Sequence, residues 1–525
     1  MAGYSVLITG GEVYRGQKLE RLDVGIKNDK VEALGDLSRE RADLVVEASG
    51  KYVAPGFIDL TNHSDTHWTL FSQSGQESLL AQGITTILGG NCGASLAPLV
   101  HASDIEGIQK WVDVREINTN WKSVAEFFKE LKEHSIGVNF ATLVGHGTLR
   151  RSFLGESVRE LSAKELDELR FLLESAMEEG AFGISTSLAA AHAKHASQDE
   201  LNLISKIVAK YGGLTKHHLK DEGRNILPAI TEVLSLARES KTKVQISHFK
   251  ILGRGSWSIL PEATGLIESA REDGADVTLD FFPYTRTGSL LYMLLPGWII
   301  EGGRKKILNS LRNPKLQKEV SDYLKSLTLD YEKIVVASTL KDATVIGKTI
   351  GELASASGLD GEEIIAELVE LNELNVSIFN EVISSEHLED LALKEYSMIA
   401  SDGVGYAAKP RILFDLPHPR SYGAFPLAAE LFARKKKVLS WAELLYKFSE
   451  FPAKTLGLKD RGRIERGFFA DLVIIDPSRV SSAVDYTGLR HEVEGIDWVF
   501  VNGKAAIKEG AATGERAGKI IRRAS

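Results

Sequence analysis

GLTKHHLKDEGRNILPAITEVLSLARESKTKVQISHFK, residues 213–250, holds a complete strand–helix–strand pattern. Its two ends, GLTKHHL (213–219) and VQISHFK (244–250), are short runs that suit β-strands, and the segment between them carries apolar residues at helical spacing. Two strands joined through a helix lie parallel in one sheet, because a tight hairpin joins only antiparallel strands. The segment therefore predicts one βαβ unit of an α/β fold.

Strand-like runs of the same kind recur along the middle of the chain. Amphipathic helical patterns lie between most of them, and eight such runs predict eight parallel strands closed into a TIM-like (β/α)8 barrel. The six runs outside residues 213–250 are GFIDLTNH (56–63), GITTILGGNCG (83–93), VNFATLVGHG (138–147), AFGISTSL (181–188), VTLDFFPYT (277–285) and YSMIASDG (396–403).

Both ends of the chain favour β-structure. Residues 4–55 contain short strand-like segments without a helical period, and the C-terminal part repeats this pattern with a hairpin signal at Asn502-Gly503. We therefore predict a small composite β-sandwich domain from residues 1–55 plus about 455–525. The barrel would span residues 56–454, with an insertion at about 286–345 and GEEIIAELVELNEL (361–374) as the barrel helix before the last strand.

The composition favours a small molecule as partner. The 525 residues carry 63 Lys and Arg against 72 Asp and Glu, and the net charge of −9 is too small to gather nucleic acid or anionic lipid. The single cysteine, Cys92, excludes an intrachain disulfide. The sequence has neither a signal-peptide pattern nor a run of about 18 apolar residues. We expect a cytoplasmic protein that binds neither nucleic acid nor membranes; its oligomeric state is not predicted.

Reacting residues of such barrels project from the carboxyl ends of the strands. The predicted ends offer imidazole, thiolate and carboxylate groups, which are the ligands of Zn²⁺. Taken singly, a lone cysteine is often a small buried residue, and a strand-end histidine often satisfies a local hydrogen bond. Their joint placement favours a metal site at the barrel mouth. The residues at these ends are His63, Cys92, His146, His218, His248, Tyr284 and Asp402.

Motifs along nearly the whole chain resemble the N-acyl-D-amino-acid deacylase (D-aminoacylase) branch of the amidohydrolase superfamily. The most specific is GNCG (90–93), because related hydantoinases and dihydroorotases use a carboxylated lysine on the fourth strand, and AFGISTSL contains no lysine. The resemblance implies that Cys92, His218 and His248 hold one zinc ion and that Asp402 is the catalytic base. The other matching strings are VAPGFIDL, NFATLVGHGTLR, HLKDEG, VQISHFK, FFPYT, IASDG, HPRSYGAFP and RGRIERGFFADLVIIDP.

The first predicted strand departs from the family pattern Asp-x-His-x-His. The matching residues are Asp59, Thr61 and His63, so a hydroxyl replaces the first histidine, and a neutral hydroxyl is a poor zinc ligand. A second metal would need that histidine together with His63 and Asp402. The resemblance therefore implies one zinc ion, with His63 as a further candidate ligand. A shifted register that recruits His63 with Asp65 is the alternative.

The implied activity is zinc-dependent hydrolysis of the amide bond of N-acyl-D-amino acids, which releases a carboxylate and a D-amino acid. A zinc-activated water attacks the carbonyl, and Asp402 takes the proton and returns it to the departing amine. The same resemblance implies that Lys250, Tyr284 and Arg420 hold the substrate carboxylate. For His146 two roles stay open, a hydrogen bond to the substrate and a structural cap.

Two alternative functions stay open at this level. Phe249, where the family commonly has histidine, and the long segment 403–419 alter the predicted pocket walls, which would suit another amide or a D-residue dipeptide. The loss of a histidine at Thr61 would instead suit a barrel that binds a ligand without catalysis. The presence of Cys92 and Asp402 in one chain favours an enzyme, because a binding module needs neither a zinc water nor its base.

Overall fold

The computed structural model describes residues 3–101, 104–105, 119–155, 157–190, 193–300, 303–327, 329–408, 415–487 and 492–524. Its N-terminal part consists of strands, as the absence of a helical period predicts. One sheet has the order β5-β4-β1-β6, and β2, β3 and β7 join a second sheet that the C-terminal strands complete. The strands are β1 (Tyr4–Thr9), β2 (Glu12–Arg15), β3 (Lys18–Arg21), β4 (Asp23–Lys27), β5 (Lys30–Gly35), β6 (Ala42–Glu47) and β7 (Tyr52–Pro55).

The barrel begins directly after β7. Its strands are β8 (Phe57–Asp59), β9 (Ile84–Gly89), β10 (Asn139–Thr142), β11 (Val144–Gly145), β12 (Gly183–Ser187), β13 (Leu214–His218), β14 (Lys243–Ile246) and β15 (Val277–Phe281). Neighbouring strands pair in parallel from β8 to β10 and from β11 to β15. Only Leu143 separates β10 from β11, so the two form one barrel strand.

Helices cover the outside of the barrel and begin where the sequence supplies caps. Ser123 and Ser162 each form a capping box with a glutamate three residues later, which satisfies backbone N–H groups at the helix start. The helices of this part are α1 (Thr69–Ser72), α2 (Glu77–Leu80), α3 (Val124–Glu133), α4 (His146–Leu154), α5 (Ala163–Glu178), α6 (Gln198–Lys210), α7 (Ile226–Ser240) and α8 (Leu260–Glu272).

An inserted unit with a core of its own follows β15. Its strands β16 (Arg286–Leu290), β17 (Ile334–Thr339) and β18 (Val376–Glu381) form an antiparallel sheet in the order β16-β18-β17. Its core includes Leu291, Val336 and Ile378. The helices that pack on it are α9 (Gly297–Ile300), α10 (Gly303–Arg312), α11 (Pro314–Ser326), α12 (Ile350–Ser357) and α13 (Gly361–Leu371).

The predicted extent of this insertion, about 286–345, needs correction. The sheet continues to Glu381, and α13 covers the inserted sheet through Ile365 and Val369. The barrel helix before the last strand is α14 (Ser385–Leu393). An amphipathic helix shows the same apolar period whichever sheet it covers, so the period alone could not assign α13 to the barrel or to the insertion.

The last barrel strand, β19 (Ser397–Ile399), closes the barrel. It pairs in parallel with β15, and a parallel bridge joins Asn62 to Gly403 beyond its end. The Asp59 carboxylate accepts a hydrogen bond from the Ser401 N–H at 3.0 Å, which ties the first strand to the last. Each of the eight predicted runs holds a barrel strand in the described part of the chain, so the predicted (β/α)8 barrel is confirmed.

The C-terminal part returns to the N-terminal sheets. After α15 (Arg420–Ala428), α16 (Trp441–Leu445) and α17 (Phe451–Leu456), the strands are β20 (Leu472–Ile475), β21 (Ser481–Ser482), β22 (Val493–Glu494), β23 (Ile496–Val501), β24 (Lys504–Lys508) and β25 (Ala511–Ala512). Strand β20 pairs with β7 and β23, giving the order β25-β24-β23-β20-β7-β2-β3. Asn502 and Gly503 have positive φ angles of 48° and 78° in the β23–β24 hairpin, as a type I′ turn requires.

The two sheets of the terminal parts share one hydrophobic core, which contains Ile8, Val24, Val53, Ile474 and Phe500. The first and last parts of the chain therefore pack together as one β-rich unit. Among the described residues, no helix is both long enough and apolar enough to cross a bilayer.

Candidate metal centre

Cys92, His218 and His248 meet at the mouth of the barrel. They lie at or just beyond the ends of β9, β13 and β14, and their candidate ligand atoms all lie within 4.8 Å of one another. The Cys92 Sγ atom is 3.2 Å from His248 Nε2. The structure thus brings together the three residues that the sequence analysis predicted as zinc ligands.

The backbone is strained at this cluster. Cys92, His248 and Asp402 have φ angles of 50°, 36° and 50°, in the left-handed region that residues with side chains seldom adopt. Each such residue costs about 1–3 kcal/mol and persists only where the surroundings hold it. Strain at two of the three candidate ligands and at Asp402 is typical of a functional site, where surrounding contacts hold residues in rarely populated conformations.

The electrostatics of the cluster favour a bound cation. Burial acts to raise the pKa of the Cys92 thiol, but His248, His218 and His63 outweigh it and hold that pKa well below its ordinary value. Burial and Lys250 act to lower the pKa of His248, yet the negative charges around it raise that pKa to about 10. A thiol that gives its proton to a neighbouring imidazole becomes a thiolate, which is the form of cysteine that binds metals.

The donor set matches Zn²⁺. One thiolate sulfur and two imidazole nitrogens are ligands that zinc accepts in tetrahedral sites, and three protein ligands leave the fourth position open. The alternative partner of His63 is not part of this group: the Asp65 carboxylate is buried and accepts a hydrogen bond from the Gly90 N–H at 2.6 Å. Cys92, His218 and His248 could therefore hold one zinc ion without Asp65.

Asp402 lies between a histidine and an arginine. Its Oδ1 atom is 3.1 Å from His63 Nε2, and its Oδ2 atom is 2.6 Å from Arg420 Nη1. Burial acts to raise the pKa of Asp402, but Arg420, His248 and His63 hold it well below its ordinary value. The same contact contributes to His63: burial acts to lower its pKa, and hydrogen bonds to Asp402 and Cys92 raise it to about 9. Asp402 is therefore an ionised carboxylate beside the ligand cluster.

Arg420 and Lys250, the two cations predicted to hold a substrate carboxylate, pair with different carboxylates of the protein. The Arg420 guanidinium lies 4.9 Å from the centre of the Phe282 ring and pairs with Asp402. The Lys250 ammonium is buried and donates to Glu222 Oε1 at 2.6 Å and to the His248 carbonyl at 3.2 Å. Arg420 therefore lies against the Asp402 carboxylate, whereas Lys250 contacts the ligand His248 and Glu222.

Glu222 is a site residue that the sequence analysis missed. Its Oε1 atom lies 3.1 Å from His248 Nδ1, and the Lys250 ammonium lies 3.0 Å from the same nitrogen. When Nδ1–H donates to the Glu222 carboxylate, Nε2 is the nitrogen that could bind a metal. Burial acts to raise the pKa of Glu222, but Lys250 and the two histidines lower it below its ordinary value. The sequence feature that could have identified Glu222 is its position in the HLKDEG motif, four residues after His218.

We expect Glu222→Gln to weaken zinc binding by about 10–100-fold, because loss of a charged partner of a metal-bound histidine typically has an effect of this size. The measurement is competition for zinc with a chromophoric chelator. Asp221→Asn is the matched control, since Asp221 accepts from the Gly223 N–H at 2.7 Å in the same loop. Equal weakening by both variants would contradict a specific role for Glu222.

The remaining predicted residues lie away from the ligand atoms or are buried. His146 is fully buried, with Nε2 2.7 Å from Glu200 Oε1, and Arg150 pairs with the same carboxylate. These contacts join α4 to α6, which supports the structural role for His146.

Tyr284 is 2 % exposed, and burial raises its pKa well above the ordinary value, so its hydroxyl stays protonated. The predicted pocket wall at Phe249 is corrected, because Phe249 is 1 % exposed and packs in the barrel core.

His217 and His218 point to opposite sides of β13, as strand geometry requires. His217 is buried, its Nδ1 atom lies 2.9 Å from Thr186 Oγ1, and burial lowers its pKa to about 3. His217 is therefore neutral and structural, while His218 joins the ligand cluster.

Comparison with known proteins decides the group of enzymes to which the chain is related. The profile of the amidohydrolase family matches residues 44–285 and 416–504. The chain belongs to the amidohydrolase family. It is 30% identical over 524 residues to D-aminoacylase of Alcaligenes xylosoxydans xylosoxydans, covering 99% of this chain and 98% of the relative. It is 28% identical over 520 residues to N-acyl-D-glutamate deacylase of the same organism, covering 99% and 96%.

Solved structures support the same relationship to deacylases. A crystal structure of D-aminoacylase matches with a TM-score of 0.81 at 27% identity, covering 99% of this amidohydrolase and all of that chain. Another D-aminoacylase structure matches with the same TM-score of 0.81. It concerns the functional role of the binuclear metal centre of that enzyme, with one-metal activation and second-metal attenuation. N-acyl-D-glutamate deacylase of Bordetella bronchiseptica, solved with zinc and a phosphonate mimic of the tetrahedral intermediate, matches with a TM-score of 0.82 at 25% identity, covering 99% and 100%.

The resemblance to the N-acyl-D-amino-acid deacylase branch is thereby confirmed. This amidohydrolase is an enzyme that hydrolyses amide C–N bonds. The alternative of a barrel without catalysis receives no support from these relatives.

Proposed function

We propose that this amidohydrolase hydrolyses N-acyl-D-amino acids with one zinc ion held by Cys92, His218 and His248. The observation that carries the proposal is the position of the Asp402–Arg420 ion pair beside these three ligands, with 2.6 Å between Nη1 and Oδ2. A carboxylate that could act as the base and a cation thus lie beside the residues that would hold the metal. The relatives that act on N-acyl-D-amino acids support the choice of substrate.

When bound, zinc lowers the pKa of a water molecule and polarises an amide carbonyl. The Asp402 carboxylate is ionised and accepts the proton as the water oxygen forms its bond to the carbonyl carbon. The same carboxyl group returns that proton to the amine nitrogen as the C–N bond breaks. His63, 3.1 Å from Asp402, orients the carboxylate through these steps and is a further candidate ligand.

Arg420 supplies the grip for the substrate carboxylate. Its planar guanidinium can form paired hydrogen bonds to a carboxylate, and Phe282 supports it from one face. The same guanidinium pairs with Asp402. A substrate carboxylate offers Arg420 a second anion, and the buried Tyr284 hydroxyl, which stays protonated, can donate a hydrogen bond near it. Lys250 contributes by holding His248 and Glu222.

A substrate panel tests the proposal. The zinc-loaded enzyme is expected to release D-amino acids from N-acetyl-D-amino acids, with little turnover of the L-enantiomers or of N-acetyl amines that lack a carboxylate. The reason is that Arg420 binds the carboxylate from one fixed side of the metal, so only one enantiomer presents its amide carbonyl to the zinc. The measurement is kcat/KM for each member of the panel. Preference for L-substrates, or equal turnover of amines without a carboxylate, would contradict the proposal.

A further inference from the structure

A second polar cluster lies inside the barrel and takes no part in the mechanism above. Its members are Thr61, Lys216, Gln245 and Asp280, each with no exposed surface. Charged residues are seldom fully buried unless they are paired, so a buried lysine and aspartate in a barrel core call for an explanation. Lys216 lies two residues before the ligand His218, on the same face of β13.

Every hydrogen of the Lys216 ammonium has an acceptor. The ammonium lies 2.6 Å from Thr61 Oγ1 and 3.0 Å from Asp280 Oδ2, and it also contacts the Leu60 carbonyl. Thr61 in turn donates to Asp280 Oδ2 at 2.8 Å, and Gln245 donates to the same oxygen at 2.6 Å. One carboxylate oxygen of Asp280 is thus fixed from three directions.

The other oxygen of Asp280 reaches the metal ligand. Its Oδ1 atom accepts the backbone N–H of His248 at 2.6 Å, and the Asp280 carbonyl accepts the N–H of Phe249 at 2.7 Å. These two bonds hold the peptide groups on both sides of His248, where φ is 36°. Strain of this kind persists only where neighbouring groups hold the backbone.

We propose that Lys216 is a positioning residue for the metal ligand His248 and acts through Asp280. The proposal rests on the zinc centre proposed above. Lys216 neutralises Asp280 and, with Thr61, holds its carboxylate in the orientation that captures the His248 N–H. Thr61 thereby has a role of its own, because a single oxygen accepts from Lys216 and donates to Asp280, whereas the acceptor and donor nitrogens of an imidazole are separate atoms.

Lys216→Met tests the proposal with metal binding as the readout. Without the ammonium, the Asp280 carboxylate loses the contact that helps to fix its orientation, and the His248 backbone relaxes from its strained conformation. Zinc affinity is expected to fall by about tenfold or more, the size of effect typical of groups that orient a metal ligand. In the cobalt-substituted protein, the thiolate-to-metal and ligand-field absorption bands are expected to shift. Both quantities are measured on the full chain by chelator competition and visible spectroscopy.

Arg461→Met is the matched control. Arg461 and Asp471 form another buried ion pair, 5 % exposed on each side, and their contacts join β20 to the Asn502 turn. This variant also leaves a buried carboxylate unpaired, and its metal affinity and cobalt spectrum are expected to match the wild type. Equal loss of metal affinity in both variants would overturn the positioning role, because general destabilisation would then explain it.

The double variant Lys216→Met/Asp280→Asn keeps the test decisive if the single variant does not fold, since it leaves no unpaired charge in the barrel. It is expected to bind zinc at least about tenfold more weakly than the wild type. Wild-type affinity and an unchanged cobalt spectrum in either Lys216 variant would overturn the proposal. A wild-type protein that binds neither zinc nor cobalt would overturn the proposed metal centre, and the positioning role with it.

Discussion

Cys92→Ser is expected to remove zinc from the purified protein and to reduce amide hydrolysis to the background rate. Serine offers a neutral hydroxyl where the structure places a thiolate, and a hydroxyl is a poor ligand for zinc. The remaining ligands, His218 and His248, leave the metal with two protein contacts. The loss of affinity should therefore exceed the roughly 10–100-fold effect of changing a group behind a ligand.

Elemental analysis of metal per chain, after purification in metal-free buffer and addition of one equivalent of zinc, measures this result. His217→Gln is the matched control, because His217 is buried beside a ligand on β13 and its imidazole contacts the Thr186 hydroxyl rather than the ligand cluster. It is expected to keep one zinc per chain. A Cys92→Ser protein that retains stoichiometric zinc would show that the thiolate is not a ligand, whatever its effect on turnover.

The placement of the ligands could be predicted from the sequence because barrel geometry is regular. Strand-like runs placed Cys92, His218 and His248 near the carboxyl ends of parallel strands, which face one mouth, and the family resemblance selected these three from the other strand-end residues. The strand-end positions depend on the backbone path alone, whereas the choice among them depended on the resemblance.

The contacts between charged side chains could not be predicted in the same way. Lys250 was expected to bind substrate, but its ammonium pairs with Glu222, 28 positions earlier in the chain. Arg420 was expected to bind substrate, and it rests on Asp402. Such pairs depend on side-chain rotamers and on the paths of loops. The hydrophobic periodicity of a sequence does not predict either of them. The Lys216–Asp280 pair did leave a signal, because a lysine two residues before a predicted ligand must face the same barrel interior.

Asp402→Asn is expected to lower kcat by about 10²–10⁴-fold while zinc remains bound, which is the range for loss of a general acid–base group. Asparagine has nearly the same shape and keeps an oxygen that can accept from His63, but it cannot take a proton from water or return one to the amine. The ligand set of Cys92, His218 and His248 does not include this carboxylate, so metal content should be unchanged.

Kinetics and metal analysis on the same preparation separate the roles that Asp402 could have. Arg420→Met is the informative partner variant, because it removes the cation that pairs with Asp402 at 2.6 Å and leaves the carboxylate in place. If Asp402 is the base and Arg420 the carboxylate grip, Asp402→Asn lowers chiefly kcat and Arg420→Met raises chiefly KM. Loss of zinc from Asp402→Asn would make the residue a metal ligand. A kcat within about threefold of the wild type would exclude it as the base, since general acid–base catalysis contributes far more than that.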